Sequence, residues 1–77
     1  MKTLSNISVA EFRSVLKELG LQQIRVKGGH EAWAKPGMLK PVIFQTHINP
    51  IPEFIVKNNL RTLEITKQEF LSILERI

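Results

Sequence analysis

A chain of 77 residues with 43% hydrophobic and 23% charged side chains has the make-up of one folded domain with a modest core, which argues against a deep enzyme cavity and against a disordered or low-complexity segment. It has no cysteine, which excludes disulfides, thiolate chemistry and Cys-based zinc sites and fits a reducing cytosol. Eleven Lys and Arg against seven acids give a net charge of +4 and a pI near 9.9, the balance expected of a domain that meets nucleic acid or another acidic partner.

The N-terminal MKTLSNISVAEF lacks a continuous apolar h-region, and no apolar run approaches the length of a membrane span, so a soluble, unexported protein without a membrane partner is expected. From Ile7 the chain reads I-S-V-A-E-F. Ser8 is a helix N-cap, Glu11 completes a capping box and Ile7 with Phe12 makes the hydrophobic staple. Val9, Phe12, Leu16 and Leu19 then share one apolar face, and Gly20 stands at the left-handed C-cap position, so a first helix is predicted to end near Leu19.

Ile24 and Val26 alternate with Arg25 and Lys27 as in a strand, Gly28-Gly29 supplies a tight turn, and His30 to Lys35 is extended until Pro36-Gly37. Pro41 to Thr46 is β-branched and aromatic and makes a third strand. Asn49-Pro50-Ile51-Pro52 cannot continue it, and Pro52 suits the first turn of a helix from about Glu53 to Arg61 that carries Ile55, Val56, Leu60 and Leu63 inward. I-T-K-Q-E-F repeats the first capping device, with Thr66 as cap, Glu69 as its reciprocal partner and Ile65 with Phe70 as staple, so a last helix starts near Lys67. The order is α-β-β-β-α-α, an α+β domain over residues 1–77 with a three-stranded antiparallel sheet, helices on one face and the other face open.

The acids are all glutamate, and Glu11, Glu18, Glu69 and Glu75 fall in the terminal helices. That leaves Arg25, Lys27, Lys35 and Lys40 in the middle opposed only by Glu31. His30 follows the two glycines at the edge of this basic stretch. Imidazole gives and takes protons near neutrality, and RNA carries its own 2′-hydroxyl nucleophile, so a histidine with neighbouring cations needs neither metal nor covalent intermediate to cut it. A solvent-exposed residue at a strand start is the competing reading of His30. His47, at the end of the third strand, is read as structural, on the other side or at the other end of the sheet from His30. Two histidines without aspartate make a poor ligand set, so no metal is assigned. Trp33 is in phase with Glu31 and Lys35 on the polar side of its strand, where an exposed indole would stack on a base or anchor a partner; packing in the core is the equal alternative. No GxxxxGK, GxSxG or HExxH pattern is present.

The short helix, L-G-L at Leu19 to Leu21, K-G-G-H at Lys27 to His30, the Pro36-Gly37 turn, the β-rich strand before His47 and the closing helices together resemble the HicA family of bacterial toxins over nearly the whole chain. The most specific element is K-G-[SG]-H followed by an extended segment with an aromatic, here Trp33. The pattern departs from the family before His47, where Gln45 and Thr46 stand without the usual proline, and in the I-N-P-I-P that follows. The resemblance implies a fold like a double-stranded-RNA-binding domain, a metal-independent mRNA interferase without cofactor, and neutralisation by a HicB antitoxin. On that resemblance His30 would be the catalytic residue and Gly28 and Gly29 the turn presenting it to an RNA backbone; from the charge and strand pattern of the chain itself, Arg25, Lys27, Trp33 and Lys35 are expected as RNA contacts. A non-catalytic RNA-binding domain and a plain protein-interaction domain are the alternative readings.

Overall fold

Reciprocal capping starts two of the three helices. In a computed structural model of the chain, which describes residues 3–77, helix α1 spans Val9–Glu18, and the Ser8 hydroxyl accepts from the Glu11 N–H at 3.0 Å while Glu11 Oε1 accepts from the Ser8 N–H at 2.9 Å. Helix α3, Lys67–Arg76, repeats the arrangement with Thr66 and Glu69. Each box satisfies two N–H groups that the first turn would otherwise leave unpaired. Between them lie β1, Gln22–Lys27, β2, His30–Ala34, β3, Val42–Gln45, and helix α2, Glu53–Leu63. The order is α-β-β-β-α-α, an α+β architecture with one antiparallel sheet in the order β1-β2-β3.

Strand parity decides which side chains meet the helices. Glu31 pairs with Phe44 and Trp33 with Val42, and all four are buried on the helical side. Phe12 of α1 meets Phe44 edge-on with ring centroids 4.9 Å apart and lies 5.8 Å from Phe70 of α3, so three phenylalanines from three elements form the centre of the core. Val56 and Leu60 of α2 complete it, with Ile55 and Leu63 half-buried beside them. Asn59 of α2 is also buried, and its Nδ2 donates to the Ile43 carbonyl at 3.1 Å. That bond occupies a carbonyl on the outer edge of β3, which would otherwise be open to another strand.

The alternation that marks β1 does not bury it. All six of its residues are exposed, Ile24 and Val26 included. A register irregularity between Gln23 and Arg25 inserts Ile24 into the strand, and β1 lies on the free edge of the sheet where the helices do not cover it.

Glu31 is buried as well, and this corrects two expectations. The carboxylate faces α1, where the Arg13 guanidinium grips it through both oxygens, Nε donating to Oε1 at 3.1 Å and Nη2 to Oε2, and Trp33 Nε1 donates to Oε1 at 2.9 Å. Hydrogen bonds from Arg13 hold the Glu31 carboxyl below its usual range, against the upward pull of burial and with help from the Trp33 indole. Glu31 therefore does not offset the basic middle of the chain, because it points away from it. Trp33, expected on a polar side of the strand, is only 4% exposed. Its ring is in the core and its one donor is satisfied internally, so it presents no stacking surface.

Candidate functional site

The open face of the sheet carries a row of three side chains set by register. Lys27 pairs with His30, and His30 pairs with Gln45, which places them on the same face as direct cross-strand neighbours, roughly 4.5–5.5 Å apart at Cβ. The next row on that face is Arg25, Ala32 and Ile43. Arg25, Lys27 and His30 are exposed, and among the described residues neither Arg25 nor Lys27 is paired with a carboxylate. The sheet thus presents an imidazole with a lysine on one side, an amide on the other and an arginine one row away.

Hydrogen bonds orient the imidazole. Gln45 Nε2 donates to His30 Nε2 at 3.1 Å, and His30 Nδ1 donates to the Gly28 carbonyl at 3.3 Å. With Gln45 as donor, the ring proton lies on Nδ1 and the lone pair on Nε2. Nε2 is therefore the basic atom, held where an incoming hydroxyl would replace the Gln45 amide.

The turn behind His30 explains its two glycines. Gly28 has φ of 58° and Gly29 of 82°, the pair of positive values that a two-residue type I′ hairpin demands. Gly29 carries a second constraint, since a Cβ there would lie 3.0 Å from His47 Nδ1. His47 is therefore not at the far end of the sheet, one of the two places open to it from sequence, but against the turn that presents His30. Thr46 fixes this approach, its N–H donating to the Gly29 carbonyl at 2.8 Å and its hydroxyl to the same oxygen at 3.1 Å. The glycines serve the hairpin and the His47 ring before they serve any ligand. Gly29→Ala is expected to cost about 1–3 kcal/mol, combining positive-φ strain with displacement of the His47 ring. Gly28→Ala, with nothing within 4 Å of its added Cβ, is expected to cost about 1 kcal/mol. Urea midpoints of the two variants check this, and equal losses would contradict the role given to His47.

Lys35 does not join the row. It follows the far end of β2, about 17 Å from His30 at the strand rise, and its Nζ donates to the Leu19 carbonyl at 3.0 Å. With Lys40 and Arg61 it lines a separate cleft. Gln45 is the site residue that sequence reading leaves out. Beyond it a groove of about 270 Å³ opens between β3 and the start of α2, with His30, Gln45, Ile43, Ile48, Pro52 and Phe54 among its lining residues. Among the described residues no three His or Glu side chains are placed together as metal ligands, and no helix is long and apolar enough to cross a membrane.

Fold and site together define a small α+β domain whose uncovered sheet face is basic and centred on an exposed imidazole. Comparison with protein-family models, with curated proteins and with solved structures found no match.

Proposed function

We propose that this chain is a toxin of the HicA kind, a cytoplasmic, metal-independent endoribonuclease that cuts mRNA and is neutralised by a HicB-like antitoxin. The observation that carries the reading is the row Lys27, His30 and Gln45 on an otherwise unopposed basic face, in the chain segment whose K-G-G-H resembles that family. The helix, three-strand, helix order of the first five elements also supports the likeness to a double-stranded-RNA-binding domain.

The chemistry follows from the orientation of the ring. A ribose 2′-hydroxyl takes the place of the Gln45 amide at His30 Nε2 and gives its proton to that nitrogen. The 2′-oxygen forms a bond to the adjacent phosphorus, and the bond from phosphorus to the 5′-oxygen of the next nucleotide breaks. The imidazolium returns the proton to that leaving oxygen, giving a 2′,3′-cyclic phosphate and a 5′-hydroxyl. Lys27 beside the ring and Arg25 one row away bring positive charge to the phosphoryl oxygens as negative charge builds on them. The antitoxin is expected to cover His30 with an acidic surface, which also speeds association with a basic partner.

Incubation with an end-labelled oligoribonucleotide in EDTA is expected to yield fragments ending in 2′,3′-cyclic phosphate. A single 2′-deoxy substitution is expected to abolish the cut at that nucleotide. Cuts that persist at the 2′-deoxy position, or that require a divalent ion, would overturn the mechanism.

One observation favours a second reading, a non-catalytic RNA-binding domain. Both imidazole nitrogens already have protein partners, and Lys27 is the only other titratable side chain in the row. Salt-dependent RNA binding with no products at any protein concentration would select it. Absence of both would leave a plain protein-interaction domain.

A further inference from the structure

We infer that the groove beside His30 is a nucleobase subsite, in which the base of an RNA nucleotide flanking the cleaved phosphate stacks on Phe54; the inference rests on the reading of the row as an RNA site. The chain has four phenylalanines. Three are buried in the core, whereas Phe54, at the second position of α2, is 65% exposed. Its ring contributes little to the core, and Ile43 and Ile48 beside it are exposed as well.

The groove is built rather than left over. Ile51 in its wall is tied to the chain before α1, its N–H donating to the Ile7 carbonyl at 2.8 Å. The Asn49 side chain accepts from the Val9 N–H at 3.1 Å, and Asn59 fastens the Ile43 carbonyl from α2. The first two bonds hold the loop after β3 against the N-terminal segment and the start of α1, and the third holds α2 against β3, so the walls stand ready before a ligand enters.

Polarity changes sharply across the imidazole. Arg25 and Lys27 lie on its β1 side; Gln45, Ile43 and Phe54 lie on its β3 side. A nucleotide has the same division, an anionic phosphate joined to a flat, largely apolar ring. A phosphate held at Lys27 and His30 leaves its own or the adjacent base free to turn over Gln45 into the groove, where the amide faces the edge of the base and Phe54 its plane. RNA recognition commonly takes this form, with an unstacked base on an aromatic side chain. A purely apolar protein segment would match the groove but not the two unopposed cations beside it.

The test uses two fluorescent 2′-O-methyl oligoribonucleotides of one length, neither of which can be cut, one with all its bases and one abasic at its central positions. Phe54→Ala is expected to weaken binding of the base-bearing strand on the order of tenfold and to leave the abasic strand unchanged. Phe54→Trp is expected to restore the affinity, with the added indole emission quenched by the base-bearing strand alone. Equal losses on both strands, or no loss on either while wild type binds RNA, would overturn the subsite; the second result would point to a protein partner for the groove. Failure of wild type to bind either strand would sink the RNA reading itself, and the subsite with it.

Discussion

Replacing His30 by alanine is expected to lower the single-turnover rate of RNA cleavage by about 10²–10⁴-fold, the usual contribution of one positioned acid or base. On the proposed reading RNA affinity should change little, because the phosphate attraction would come mainly from Arg25 and Lys27, neither of which depends on the imidazole. Stability should stay within about 0.5 kcal/mol of wild type, since the ring is exposed and its bonds to Gln45 and the Gly28 carbonyl are surface bonds. The three readouts together separate a chemical role from a structural one. Added imidazole, free to enter the space left between Gln45 and the Gly28 carbonyl, is expected to recover part of the rate. A variant that binds RNA normally, folds normally and still cuts at the wild-type rate would remove His30 from the chemistry.

Arg13→Ala is expected to be the most destabilising single change among the charged residues, at about 2–3 kcal/mol. Removing one partner of a fully buried pair commonly costs about 3–5 kcal/mol. The smaller figure applies because the Arg13 side chain is itself 39% exposed, so water enters where the guanidinium was. The loss should also change how stability depends on pH. In the wild type Arg13 holds the folded-state pKa of Glu31 below its unfolded value. That contribution is fully present above the ordinary carboxylate pKa of about 4.3 and is lost as pH falls through the lower, folded value. In the variant the largest lowering influence is gone, and burial is opposed only by the hydrogen bonds from Trp33 and Gln23, so the Glu31 pKa moves up towards its unfolded value. Lowering the pH from neutrality to about 3 should then cost wild type more stability than Arg13→Ala. Urea midpoints at the two pH values check the sign, and parallel behaviour of the two proteins would contradict it. Arg13→Lys should recover only part of the stability, because a single ammonium cannot reproduce the two-pronged grip on both oxygens.

The parts of the fold legible in the sequence are those set by neighbours along the chain. Both capping boxes, with their staples and reciprocal glutamates, occupy a few consecutive residues, and each starts its helix where the pattern predicts. Gly28-Gly29 likewise reports its own hairpin, and a two-residue turn sets Lys27 opposite His30. The second pairing is different, because β2 and β3 are joined by a longer loop over residues 35–41. Nothing local aligns Gln45 with His30, so the amide that orients the catalytic candidate is not recognisable beforehand.

Trp33 shows how a long-range partner misleads. Its parity with Glu31 is legible, and the structure keeps the two on one face. The charge on Glu31 marks that face as polar, whereas Arg13, 18 residues earlier, neutralises it within the fold and turns the same face into core. The place of His47 is hidden by the same kind of gap: its approach to Gly29 depends on how the end of β3 closes on the hairpin turn. The basic stretch was legible as composition, but only strand register sorts Arg25 and Lys27 onto the open face and leaves Lys35 at the other end.

The most direct test of the account is cleavage of a labelled mRNA in EDTA by wild-type and His30→Ala proteins side by side, with RNA binding measured on the same samples. The account predicts fragments from wild type, none from the variant, and binding by both. Fragments from both proteins at equal rates, or RNA bound by both and cut by neither, would contradict it.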